Sequence, residues 1–429
     1  MNLIAYLMES RGIMNSAQRL PKIAVRFGIS AGRMERALNG YIDTAARYGG
    51  TPTLAVTANL LERYPRIFMR VANRGAELAI HGYVHTDYSL LGYDEQHEHI
   101  EQGLAMFRAL GIPVSGIRHP YVRWNRDSIR VAKDLGLEYS SNRTIAWDVV
   151  PRFTPSTAVE AYRNGLRLYR SDDAANVPAL PSHVHDILDL PASLPDDEAL
   201  VDRLRLPRHQ RKEVWLDVFR RVYELGEMQV IILHHERFRL CRKALEGVLE
   251  EARAQDPPVW IASMSQIAQW WRRRAKNRLH IQRLDDGHAR IAAPYDRDIT
   301  VVTRGVEGYG VRPWYGRDSI MDTGELSLAC EKLPIIGITN NASAALERFL
   351  EDEGYVVRRG VVDDCAIVLD GWQEFKQTDK REVLRVIDES RAPIVRVWRW
   401  PRGTRAAISL TGDVDSMTLL DFLRRPLEV

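Results

Sequence analysis

Between residues 51 and 265 one pattern repeats: a short apolar run, then a helical run that ends near a glycine. The apolar runs are "TPTLAVTA", "AELAIHGYVH", "VSGIRHP", "LEYSSN", "VHDILDLPAS", "MQVIILHH" and "PVWIAS". The helical runs space their apolar residues three and four apart, as Ile100, Leu104 and Phe107 do in "EQHEHIEQGLAMFRALG". No other feature limits the fold as much. Repeated strand–helix units bury their apolar faces as a parallel sheet covered by its own helices. Strands that are apolar on both faces need cover on both sides, which a barrel supplies. The expectation is class α/β, an irregular (β/α)7 TIM-like barrel with roughly seven strands in this span.

After about residue 280 the texture changes. "HARIAAPYDRDITVVTRGVEGYG" reads as short antiparallel strands, and "PIIGITNNASAALERFLEDEGYVVRRG" as strand–helix–strand. The predicted organisation is a barrel over 1–279, a β-rich accessory region over 280–332, a small α/β region over 333–403, and a closing strand with an acidic motif over 404–429. Neither GxGxxG nor GxxxxGK[ST] occurs, so no nucleotide-phosphate loop is expected. The formal net charge of +3 is too small to imply a nucleic-acid partner. The one dense basic run, "WWRRRAKNR" at 270–278, fits a helix C-terminus that complements its dipole.

Cys241, Cys330 and Cys365 are far apart and odd in number, which argues against a disulfide framework and a CxxC zinc site. No apolar run reaches the roughly 18 residues of a membrane span. The opening "MNLIAYLMESRGIMNSAQRLPK" carries Glu9 and no basic stretch before its apolar run. It makes a poor signal peptide, so a cytoplasmic location is expected.

Four motifs fall just after predicted strands. In "ELAIHGYVHTDYS", His81 and His85 are four apart, a spacing that keeps both rings on one side and suits a metal. In "SLTGDVDS", Asp413 and Asp415 are two apart and face the same way on an extended backbone, so one could bind a metal while the other acts as a base. Helix capping by Asp415 or Ser416 is the plainer reading of that stretch. It is not an EF-hand, because Thr418 stands where glycine is needed and Arg424 where glutamate is. In "VIILHHERF", His234 shares a strand face with Val230 and Ile232, and His235 takes the other. In "GIRHPYVRW", Arg118 could hold a carboxylate, and a backbone N–H near Tyr121 could face an oxyanion. Parallel barrels place catalytic groups at the C-terminal ends of their strands, where all four motifs lie.

Together "ELAIHGYVH", "IRHPY", "VIILHH" and "SMSQIAQWW" resemble the polysaccharide deacetylases with a NodB-homology domain, carbohydrate esterase family four. The resemblance covers residues 30–275 and 406–422. That family's Thr-Phe-Asp-Asp motif has no counterpart before His81, whereas "SLTGDVDS" supplies the acids at the other end of the chain. The resemblance therefore implies a circular permutation in which the last strand fills the first strand's place. It implies that Asp415, His81 and His85 hold a divalent metal, zinc first, with Co2+, Ni2+ or Mn2+ as alternatives. Asp413 would be the catalytic base, His234 the general acid with His235 as runner-up, Arg118 the group orienting the base, and the Tyr121 backbone an oxyanion donor.

The extra residue between the two aspartates leaves their roles exchangeable. The family's Asp-x-x-Asp-Trp motif is matched only loosely by Asp186, Asp189 and Leu190. The implied activity is N-deacetylation of an amino-sugar oligo- or polysaccharide. The alternatives are a ring-opening amidase or formamidase on small C–N substrates and an inactive glycan-binding frame. Trp398 and Trp400, two apart in "RVWRWP", could stack on a pyranose or pack the last region against the barrel.

Overall fold

The computed structural model describes residues 25–284, 287–306 and 308–428, so the opening stretch 1–22, read as a poor signal peptide, lies outside the described residues. The repeat of apolar runs becomes a curled nine-stranded sheet. Its strands are β1 (Thr53–Val56), β2 (Glu77–Ile80), β3 (Gly116–Ile117), β4 (Tyr139–Ser140), β5 (Ser182–Val184), β6 (Ile187–Asp189), β7 (Met228–Ile232), β8 (Val259–Ile261) and β9 (Ala406–Val414). The order is β7-β9-β1-β2-β3-β4-β6-β5, with β8 also paired to β9. Every pair is parallel except β5–β6.

The sequence is misleading at "VHDILDLPAS". It reads as one strand but folds as the β5–β6 hairpin followed by Ala192–Leu194. That last segment joins Asp172–Asp173 and Thr144–Ala146 in a separate three-stranded parallel sheet. A turn at His185, with φ of 51°, reverses the chain where the alternation is too short to show it. The sheet is thus a curled half-barrel, with one antiparallel pair in place of a uniform parallel ring.

β9 sits between β7 and β1, parallel to both. All nine of its residues are buried. Ile408 and Leu410 are fully buried, each worth roughly 1.5–3 kcal/mol against exposure. Gly412 is small of necessity: a Cβ there would lie 2.6 Å from the Leu233 carbonyl oxygen and 2.7 Å from the His235 ring. The helix Gly32–Arg47 buries Leu38, Tyr41 and Ile42, and the Tyr41 hydroxyl donates to the Thr411 carbonyl at 3.0 Å.

Beyond the barrel, residues 280–283, 288–292 and 325–329 form one antiparallel sheet, and 301–304, 311–315, 318–321 and 394–397 form another. Residues 333–338, 357–359 and 365–369 form a small parallel sheet with helices Ala344–Asp352 and Lys380–Glu389 in the same chain segment. Trp398 and Trp400 join this region to the barrel. Trp398 is 1 % exposed and Trp400 fully buried, with its ring 5.7 Å from Trp271 and its indole N–H on the Gly226 carbonyl at 2.9 Å. Stacking on a pyranose needs an open ring face, so the packing alternative holds. The basic run at 270–278 is also used internally: Arg274 is buried over the Trp271 ring and donates to the Asp352 carbonyl. All three cysteines are free. Among the described residues no helix is long and apolar enough to cross a membrane.

Candidate active site

The strand ends bring the four motifs to one cavity of about 110 Å3, lined among others by His81, His85, Tyr121, His234, Asp413 and Asp415. His81 follows β2 directly. Gly82 then turns the chain at φ 77°, in contact with Tyr88, and His85 returns from the loop beyond. The two histidines therefore converge through a loop rather than through strand periodicity. Their Nε2 atoms lie 3.6 Å and 3.5 Å from the Asp415 carboxylate. One donor atom from each of the three residues falls within 4.8 Å of the others.

These donors fit a divalent cation. His81 Nδ1 is 2.6 Å from the Arg118 carbonyl oxygen, which can only accept, so Nδ1 carries the proton and Nε2 keeps a free lone pair. Asp415 Oδ1 is buried with no hydrogen-bond partner, an orphan that a cation would satisfy. Ligand atoms 2.0–2.2 Å from a tetrahedral zinc sit about 3.4 Å apart, close to the 3.6 Å and 3.5 Å between the imidazoles and the Asp415 carboxylate. Burial, then the neighbouring Arg425 and His81, hold the His85 imidazole well below its usual range, which keeps it neutral.

One neighbour stands against this set. Arg425, in the turn Arg425–Leu427, places Nη1 3.2 Å from Asp415 Oδ2 and Nη2 2.5 Å from His85 Nδ1. A guanidinium only donates, so His85 must accept at Nδ1 and carry its own proton on Nε2. With that proton in place, the His85 Nε2 lone pair is not free for a cation; it would be so only if the proton sat on Nδ1, with Arg425 away from it.

Asp413 is held differently. Arg118 is 2 % exposed and donates through Nη1 to Asp413 Oδ1 and to Thr411 Oγ1, each at 2.9 Å. Its Nη2 is fixed on Ser141 Oγ at 2.8 Å. Burial alone would raise the Asp413 carboxyl, but Arg118, His81 and His234 outweigh it and hold it at about 2. The two aspartates thus differ in their guanidinium partners and in exposure of the contact: Asp413 rests on the buried Arg118 at 2.9 Å, whereas Asp415 has both imidazole Nε2 atoms within 3.6 Å and Arg425 at 3.2 Å.

His234 and His235 part at the end of β7. His234 lines the cavity, and its Nδ1 donates to Asp197 Oδ1 at 2.8 Å, leaving Nε2 as the second ring nitrogen. Burial opposes protonation, but Asp197 outweighs it and raises the imidazole well above its usual range. His235 turns away, 2 % exposed, edge-on to Tyr41 at 5.4 Å and against Gly412. Burial lowers it to about 4. Tyr121 sets its ring 4.4 Å from His85, with a left-handed backbone at φ 59°, ψ 12°. Val122 follows at φ 49°. Two consecutive non-glycine residues in that region mark a strained loop at the cavity wall.

Asp197 is the functional partner that sequence reasoning missed. It is fully buried, and it also accepts from the His234 backbone N–H at 2.9 Å. The signal was the run "PDDE" just past the strand Ala192–Leu194, a strand end like the other four. The loosely matched acids do other work. Asp189 is buried and accepts from Ser140 Oγ and the Asn142 N–H at 2.7 Å and 2.9 Å, while the exposed Asp186 pairs with Lys133.

Comparison with known proteins bears out the resemblance read from the sequence. Residues 30–140 match the family model for polysaccharide deacetylase. None of the curated proteins compared with the chain matches it. Among solved structures, the chain is similar to a probable polysaccharide deacetylase from Pseudomonas aeruginosa PAO1, with 20% identity, a TM-score of 0.43, and coverage of 61% of this chain and 78% of that one. It is similar to the PuuE allantoinase at 19% identity and TM-score 0.43, covering 60% and 76% of the two chains. It is also similar to the peptidoglycan deacetylase PdaC from Bacillus subtilis at 17% identity and TM-score 0.33, covering 56% and 88%.

Proposed function

We propose that the chain is a metal-dependent hydrolase that removes N-acetyl groups from an amino-sugar glycan. One observation carries the reading: a carboxylate held on Arg118 and an imidazole held on Asp197 line the same small cavity as the His81, His85 and Asp415 donors. His81, His85 and Asp415 would hold the metal. When bound there, a divalent cation supplies Lewis-acid charge that acidifies water and polarises a carbonyl.

The remaining work falls to the chain's own groups. Asp413 is ionised at neutral pH, so it accepts the proton of the attacking water. Arg118 keeps that carboxylate in one orientation. In this reading the Tyr121 backbone N–H, at the cavity wall, would meet the developing oxyanion. His234, protonated through its pairing with Asp197, gives a proton to the departing amine as the C–N bond breaks. The products are acetate and a free amino sugar. Because only Asp415, of the two aspartates, brings a carboxylate oxygen within 4.8 Å of donor atoms from both His81 and His85, we assign the metal to Asp415 and the base to Asp413. We also read the chain as circularly permuted. β9 lies between β7 and β1, with Asp413 on it and Asp415 just past its end, and these are the acids that the family usually places on its first strand.

A second reading rests on Arg425, whose guanidinium already supplies positive charge to Asp415. A site so filled suits a glycan-binding frame without catalysis. Elemental analysis of the purified protein, run beside an acetate-release assay on N-acetylglucosamine oligomers, decides between them. Stoichiometric divalent metal with acetate release supports the hydrolase, and metal-free protein that releases none supports the frame.

A further inference from the structure

The cavity does not end at the proposed centre. Val122 and Tyr169 line both it and an adjoining groove of about 620 Å3. The groove wall carries Arg123, Arg126, Arg143 and Arg170 against a single carboxylate, Asp172. Two of these arginines are engaged: Arg123 donates to Asp87 at 2.8 Å, and Arg143 to Asp172 at 2.7 Å. Arg126 and Arg170 are exposed and form no ion pair among the described residues. Each stands at a helix end. Arg126 opens a helix capped by Asn125, and Arg170 closes one in a left-handed turn at φ 51°. Trp124 is half-buried on the same wall.

Uncompensated guanidiniums along one groove raise the local concentration of anions. A guanidinium also matches the two oxygens of a carboxylate through paired N–H donors. An indole beside it offers a flat apolar face of the kind a sugar ring presents. A neutral glycan would use the indole and leave the two arginines unmatched.

We infer that this groove is a subsite for the part of the substrate that runs beyond the reacting sugar, and that it selects a glycan bearing carboxylates on its sugars. The inference rests on the glycan-deacetylase reading and deepens it by naming the substrate class. Arg126 and Arg170 are the specificity determinants and touch none of the groups assigned to catalysis.

Calorimetric titration of the full chain at low salt tests it with two probes. A hyaluronan hexasaccharide and chitohexaose both contain N-acetylglucosamine and differ in carboxylates. The hyaluronan probe should bind roughly five- to tenfold more tightly, as two exposed charge contacts allow. Arg126→Ala/Arg170→Ala should abolish that preference without changing the melting temperature. A control of equal charge change, Arg36→Ala/Arg66→Ala on exposed helix faces, should keep it. Equal or weaker binding of the hyaluronan probe, no binding of either, a preference that survives the groove variant, or one that the control also removes overturns the inference. Binding and acetate release are measured separately, so failure of the deacetylase reading shows on its own, as absence of acetate release from either probe.

Discussion

Arg425 Nη2 lies 2.5 Å from His85 Nδ1, and that contact fixes the tautomer of a proposed metal ligand. Nδ1 accepts, so the proton sits on Nε2, the atom that faces Asp415 at 3.5 Å. The guanidinium and a metal therefore compete for one constellation. Arg425→Ala should raise affinity for Zn2+ or Co2+ by about tenfold or more, the scale on which partners of ligands act. Competition against a chromophoric chelator measures it, and unchanged affinity would show that Arg425 leaves the site at no cost.

His234 should give the alkaline limb of the activity profile. Its raised pKa keeps it protonated through neutrality, and activity falls as pH climbs past that value. Asp197→Asn removes the charge that raises it, so the limb should move to lower pH in kcat against pH. His234→Ala should lose about 10²–10⁴-fold in kcat, as loss of a general acid does. His235→Ala should retain most activity, because that ring packs on Tyr41 and Gly412 outside the cavity. Loss of activity in His235→Ala alone would reverse the assignment.

Arg118→Met should cost roughly 3–5 kcal/mol at pH 7, since it leaves the buried Asp413 carboxylate without its partner. The folded-state pKa of Asp413 is depressed to about 2. The pair's stabilisation is thus fully present above the unfolded carboxylate value of about 3.9 and is lost as pH falls towards 2. Urea unfolding of the two proteins at pH 7 and pH 2.5 should show the gap narrowing in acid. A constant gap would mean that Arg118 acts through packing alone.

A chain ending at Thr404 should be inactive and poorly folded. Losing β9 bares the facing edges of β7 and β1 and removes the buried Ile408 and Leu410. Asp413→Asn/Asp415→Asn keeps the strand, so it should stay folded and lose activity. Circular dichroism and acetate release distinguish the two, and an active truncated chain would sink both the strand assignment and the base.

Trp400→Ala should lower the melting temperature and leave KM unchanged. The ring is fully buried between the barrel and the appended region, so its loss opens a cavity worth roughly 3–5 kcal/mol. A raised KM at unchanged melting temperature would restore the sugar-stacking alternative.

What the sequence determined is local. Apolar runs such as "LAVTA" and "VIIL" must be buried strands, and the polar residues that follow them must lie at strand ends, so His81, Arg118, His234 and Asp413 were legible as one candidate site. Those rules act within a few residues, through burial and backbone periodicity. The tertiary structure decided what meets across the chain. Asp197 reaches His234 from 37 positions away, and Arg425 reaches His85 from 340. β9 finds its place between β7 and β1, and the two neighbouring histidines part because the backbone after β7 turns one ring into the cavity and the other onto Tyr41. Such pairings depend on how loops cross at the sheet's end, where no periodicity constrains the chain and only packing and charge select the partner.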